Sequence, residues 1–216
     1  MFKKISNKIE KSNKNNIEDI NDNVISRRWK KRFSELPKDI QNKILELNEK
    51  DIKEYQLKVI KRKRKDPKTG DIFVVSPREG IYFYGRVLNA NINHIEKNSF
   101  LHGNHVIVIF KSKSKTIDMF NYMANYDDLL IVPRIVHKKY WTSGYFYTID
   151  NIPNTDYEDN LDYGFYDIHN KRYLKEDGTK IFHKPKLFNT YGISTMSVIA
   201  NEIETEIIIN PKLLEF

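Results

Sequence analysis

Two apolar runs separated by a turn, at residues 70–88 (GDIFVVSPREGIYFYGRVL), constrain the fold of this chain more than any other stretch. Residues 72–75 are β-branched or aromatic at every position, and residues 81–88 again favour strand. Ser76, Pro77, Arg78, Glu79 and Gly80 between them carry turn chemistry, Pro by fixing φ and Gly by permitting φ > 0. The stretch predicts a β-hairpin. In its second strand Ile81, Phe83, Gly85 and Val87 fall on one face, and Tyr82, Tyr84, Arg86 and Leu88 on the other. Gly85 gains nothing from packing there, so it is expected to mark a bend, a bulge or a close backbone approach.

Upstream of the hairpin the period is helical. Ile25, Trp29 and Phe33 recur every four residues among Arg27, Arg28, Lys30, Lys31 and Arg32. This spacing predicts a helix with Trp29 and Phe33 in a core, although both rings could also stack on bases. Pro37 suits the first turn of a second helix through Ile40, Ile44 and Leu47. Asp51 and Glu54 have the spacing of a capping box for a third, running into Lys61, Arg62, Lys63, Arg64 and Lys65. Such a run could form a phosphate-binding patch, but it reads first as a solvated helix end complementing the macrodipole.

Downstream the period is two. Residues 105–110 (HVIVIF) read as a strand buried on both faces, 129–136 as a strand with Pro133 at an edge or bulge, and 140–149 as an aromatic strand. Residues 116–125 fit a short helix, and 151–161 a polar, acidic loop. Residues 163–168 form a strand, and Asp177-Gly178 turns a short hairpin. Residues 194–209 predict a helix with Ser194 near its cap, made acidic by Glu202, Glu204 and Glu206.

Charge divides the chain in two. Residues 1–65 carry 20 Lys+Arg against 10 Asp+Glu, leaving 17 against 19 for residues 66–216, within a net charge of +8. A flexible segment 1–23 and a basic helical segment 24–65 therefore precede a β-rich domain over 66–216. The chain has no cysteine, which excludes disulfides and thiolate metal sites and suits a reducing compartment. No apolar run approaches the ~20 residues that span a bilayer, and no apolar region follows the basic N-terminus, so a cytoplasmic location is expected. The six histidines show no HxxxH or HExxH spacing, and neither a GxSxG elbow nor a phosphate-binding GxxxxGK[ST] loop occurs. Asp127-Asp128 and Asp156/Glu158/Asp159 read as solvated loop acids rather than paired catalytic carboxylates. No catalytic, metal or cofactor-binding residue is expected.

At residues 70–88 the chain resembles the immunity protein 26 family of bacterial polymorphic toxin systems. The residues that carry the resemblance are Gly70, Asp71, Ile72 and Phe73, then Gly80, Tyr82, Tyr84, Gly85, Arg86 and Val87. The aromatic stretch around Trp141 and Gly144, and the helix after Tyr191-Gly192, resemble the family's layout, extending it over roughly residues 68–208. The resemblance implies a cytoplasmic, non-enzymatic protein that binds and neutralises a partner toxin.

Together these readings predict an α+β fold. A helical N-terminal extension precedes a curved, mostly antiparallel sheet of five to seven strands, open or barrel-like, with one or two packed helices. Tyr82, Tyr84 and Arg86 are the residue types that dominate protein interfaces. Asp156, Glu158 and Asp159 supply an acidic surface, as does the C-terminal helix. These are the candidate partner-binding residues. The alternative is a nucleic-acid-associated protein that binds DNA or RNA through Arg27, Arg28, Lys61, Arg62, Lys63, Arg64 and Lys65, with the β domain as a partner module.

Overall fold

The structure, a computed structural model, describes residues 22–216. All but the last two residues of the expected flexible segment 1–23 lie outside the described residues.

Helix α1 spans Val24–Glu35. Asn23 caps it, its Oδ1 accepting from the N–H groups of Ile25 (2.9 Å) and Ser26 (3.1 Å). None of its residues is buried. Trp29 is 37% exposed and meets Phe33 at 6.0 Å between ring centres, so the two rings pack on each other at the surface rather than in a core. Helix α2 (Lys38–Glu49) begins after Pro37, which occupies the cap position, and buries Gln41, Ile44 and Leu47. Helix α3 (Ile52–Tyr55) is a single turn, and Asp51 caps it by accepting from the Lys53 N–H, without the reciprocal bond of a capping box.

The third helix does not run into the basic residues. Like charges at i, i+4 repel along a helix, and Asp66 precedes a proline, which disfavours the helical conformation there. Residues 56–65 instead run extended across the body. The Lys58 N–H donates to the Ser76 carbonyl, Ile60 to Gly144 and Lys63 to Trp141.

The expected hairpin is formed by β1 (Asp71–Arg78) and β2 (Ile81–Asn89). With β3 (His105–Ser114), β4 (Leu129–Val136) and β5 (Phe146–Asn151) they make an antiparallel sheet in the order β4-β3-β2-β1-β5. A second sheet, in the order β8-β7-β6-β9, joins β6 (Tyr163–Asp167), β7 (Arg172–Leu174), β8 (Lys180–Ile181) and β9 (Leu187–Thr190). Its β6–β9 pair is parallel. Both sheets are open, so the strands divide between two sheets instead of closing a barrel.

The two faces of β2 separate as the alternation predicts. Phe83 and Val87 join Phe73, Ile107, Trp141 and Phe146 in a core covered by Ile199, Ile203 and Ile207 of helix α6 (Met196–Ile209). Tyr84 and Leu88 join Ile72, Val108, Phe110 and Phe165 in the core of the opposite face. Gly85 is a close approach: a Cβ there would stand 2.2 Å from the Phe73 ring.

Two stretches differ from expectation. Residues 116–125 form turns, because Asp118 accepts from the Phe120 N–H and Ser114 from the Thr116 N–H, local bonds that compete with a helix. Residues 140–149 begin as helical turn α4 (Lys139–Thr142), which ends at Gly144 with φ +87°, and only then enter β5.

Candidate functional site

The apolar alternation of β2 places Arg86 on the same face as Tyr84, and there it is almost wholly enclosed. Its side chain is 2% exposed and that of Glu158 is 5% exposed. The guanidinium grips the carboxylate with two bonds, Nε to Oε1 at 2.9 Å and Nη2 to Oε2 at 3.0 Å. Its Nη1 donates to the Gly70 carbonyl at 2.6 Å, and its Nη2 also donates to that of Pro153 at 3.1 Å. The Tyr126 hydroxyl donates to Glu158 as well.

Glu158 arrives there on a short helix, α5 (Asp156–Asp159), inside the expected acidic loop. Thr155 and Glu158 form a capping box: the Thr155 N–H donates to Glu158 Oε2 at 2.8 Å, and the Glu158 N–H to Thr155 Oγ1 at 3.3 Å. The T-x-x-E spacing at residues 155–158 is the sequence signal for this helix, and with it for the partner of Arg86. Burial pushes the Glu158 carboxyl up, but the bonds from Arg86, Tyr126 and Thr155 outweigh it and hold its pKa below the usual range. Burial raises Tyr126 strongly, helped by its bond to Glu158, and raises Tyr122 to about 12. Both phenols therefore stay neutral at pH 7.

A cleft of about 500 Å³ opens over this lock, lined by Tyr122, Tyr126, Tyr157, Ile152 and Asp127 with Arg86 and Glu158 among its walls. Tyr157 is 55% exposed, and the loop that supplies Tyr122 also exposes Phe120 (91%) and Met123 (64%). A second network lies at the start of β1. Asp71 accepts from Asn151 Nδ2 (2.8 Å) and Thr148 Oγ1 (3.2 Å), and Trp141 Nε1 donates to Thr148 Oγ1 (3.0 Å).

Of the residues singled out for partner binding, the fold brings Arg86 and Glu158 into direct contact. Tyr84, Arg86 and Glu158 are buried, and of these Arg86 and Glu158 line the cleft. Tyr82 is half-buried, and Asp156 and Asp159 are exposed on α5. The sequence reading missed Tyr122, Tyr126 and Tyr157, whose shared cleft depends on folding the 117–128 loop against α5.

The acidic C-terminal helix is not a free acidic surface. Glu202 pairs with Arg134, Glu204 with Arg78 and Glu206 with Arg32. Asp127 pairs with Lys186 at 2.6 Å, and Asp128 with Lys111. Among the described residues no group of three or more His, Asp or Glu side chains is placed to hold a metal ion.

The basic residues fall in two places. Lys61 and Lys63 lie over the Tyr147 ring at 5.7 and 5.8 Å, while Arg62, Arg64 and Lys65 are exposed along the extended strap. On α1, Arg27 faces Asp22 at 3.6 Å, and Arg28 lies 4.5 Å over the Phe188 ring.

This is an α+β protein whose open, antiparallel five-stranded sheet is locked at one end by a buried arginine–glutamate pair beneath a tyrosine-lined cleft. The family model for immunity protein 26 matches residues 68–172. The match takes in the whole five-stranded sheet, the lock, the cleft and α5, and stops at the first residue of β7. No curated protein and no solved structure matches the chain. Among the described residues no helix is long and apolar enough to cross a membrane.

Proposed function

We propose that this chain is a non-enzymatic binding protein that neutralises a partner protein, a toxin, in the cytoplasm, and that the cleft over Arg86 and Glu158 is where it meets that partner. The observation that carries this reading is the coincidence of the family match with the cleft: every residue lining it lies within 68–172. The chemistry fits a docking surface. Exposed Phe120, Met123, Tyr157 and Ile152 supply apolar and aromatic contact area beside the acidic groups Asp156 and Asp159. The lock keeps that surface rigid, so little ordering entropy is lost on binding.

The test is capture from a lysate of the source cell with full-length protein, after nuclease treatment, beside the variants Tyr157→Ala and Asp156→Lys/Asp159→Lys. A protein retained by the wild type, lost with both variants, toxic when expressed alone and harmless when this chain is co-expressed would support the reading. Retention of the same protein by both variants would move the interface off the cleft. A captured protein whose toxicity is unchanged by co-expression would remove the immunity function.

A further inference from the structure

Away from the tyrosine cleft, the docking of α1 against the body leaves a second cavity. It has a volume of about 630 Å³ and lies between α1, β4, β9 and α6. Its walls are of two kinds. Trp29, Ile25, Leu130 and Ile131 make an apolar side. Arg28, Arg32 and Arg134 add three cationic side chains to the lining.

The helix geometry of α6 explains how two of these cations are held. Glu202 and Glu206 are four residues apart and share one face of α6, so both line the cavity. Glu202 binds Arg134, with Nε donating to Oε2 at 3.2 Å. Glu206 binds Arg32 through two parallel bonds, at 2.5 and 2.8 Å. Glu204, on the opposite face, turns away to Arg78. Lys111 at the rim is held by Asp128.

Arg28 has no such partner. Its Nη1 donates to the Phe188 carbonyl at 3.3 Å and its plane covers the Phe188 ring, but among the described residues no carboxylate pairs with it. The cavity thus holds one guanidinium in excess. The cations feel one another: burial lowers the pKa of Arg28, with Arg32 adding to the effect, and burial together with Arg28 lowers that of Arg134 to about 10. An anion placed among them would relieve this repulsion.

We infer that the cavity between α1 and α6 is a binding site for a small organic phosphate of mononucleotide size, with Arg28 as its anion contact and Trp29 against its base. The volume lies within the range of small-molecule sites. A guanidinium fork matches phosphate oxygens in two-bond geometry, and an aromatic face suits a base. The site is separate from the cleft proposed for the partner protein, and it is completed by a helix that lies outside the family-matched segment.

The test is calorimetric titration of full-length protein at low ionic strength with AMP, adenosine and inorganic phosphate, on the wild type, Arg28→Gln and Trp29→Ala. AMP is expected to bind at least about tenfold more tightly than phosphate or adenosine alone, because only AMP engages both walls. Arg28→Gln should weaken AMP about tenfold or more, and raised salt should weaken it further. Trp29→Ala should weaken AMP while leaving the phosphate response unchanged. The helix that carries both side chains has no buried residue, so the variants are expected to keep the wild-type melting temperature, which the same samples verify. Failure of AMP to bind at millimolar concentration, or equal binding by wild type and Arg28→Gln, would overturn the inference. AMP binding no tighter than inorganic phosphate would reduce the site to an adventitious ion only and overturn it equally.

Discussion

A buried arginine is stable only where a carboxylate and carbonyls replace the water it has lost, and Arg86 meets that condition with Glu158 and the carbonyls of Gly70 and Pro153. Removing one partner leaves the other as an uncompensated buried charge. Glu158→Ala should therefore cost about 3–5 kcal/mol in denaturant unfolding, while the double variant Arg86→Met/Glu158→Leu should recover most of that loss. Equal losses for both would show that the pair is not the cause. His105 sets a pH dependence. It is 3% exposed, its Nδ1 accepts from the Asn91 N–H at 3.3 Å, and burial lowers its pKa from 6.5 to about 4. Between those values the unfolded chain binds a proton that the folded chain refuses, so stability should fall as pH drops from 6.5 to 4. His105→Asn should flatten that slope, and denaturant titrations at pH 4, 5, 6 and 7 would show it; an unchanged slope would assign it to other groups. Much at this scale was legible beforehand. The two faces of β2 and the close approach at Gly85 follow from alternation and from a glycine where a side chain belonged. The burial of Arg86 did not follow, because alternation assigns a residue to a face without saying what covers that face. The partner was one motif away, in the T-x-x-E of residues 155–158.

Elements kept their character where local chemistry and tertiary packing agreed. The hairpin, the buried strand β3 and the C-terminal helix all stand where their periods place them. Elements changed where side chains offered the backbone another partner, as Asp118 and Ser114 do in 116–125, or where charge and tertiary hydrogen bonds favoured an extended path, as in 56–65. Helix α6 shows the limit of reading charge from one element. Its glutamates suggested an acidic surface, yet each is bound by an arginine from a different element: Arg134 of β4, Arg78 of β1 and Arg32 of α1. Their energetic weights should differ with burial. The Glu204 side chain is 6% exposed, so Glu204→Ala should cost about 1–3 kcal/mol. Glu206 faces Arg32 at the surface, with side chains 18% and 44% exposed, and Glu206→Ala should cost about 1 kcal/mol or less. Denaturant midpoints of the two variants decide the order, and a larger loss for Glu206 would mean that α1 docking contributes more to the fold than its exposure suggests.

At the scale of the molecule, the described part of the basic front end is built differently from the helical arm its spacing suggested. Its last ten residues are stitched to the Ser76, Gly144 and Trp141 carbonyls, and two of its lysines rest on Tyr147. A strap bound through its main chain has little need of its cationic side chains for stability. Replacing Lys61, Arg62, Lys63, Arg64 and Lys65 together by Gln should therefore leave the melting temperature within a few degrees of wild type, since exposed substitutions are usually within about ±0.5 kcal/mol each. Partner capture through the cleft should survive the change with weak salt dependence, because the cleft draws on tyrosines, apolar side chains and α5 carboxylates. The nucleic-acid reading makes the opposite demand. Binding through Arg27, Arg28 and the five cations of the strap would release counterions and fall by orders of magnitude between about 50 and 200 mM salt, and the quintuple variant would weaken it strongly. Measuring partner capture and duplex DNA binding on the same two proteins across that salt range separates the readings: loss of partner capture in the quintuple variant would place the interface on the strap and take it away from the tyrosine cleft.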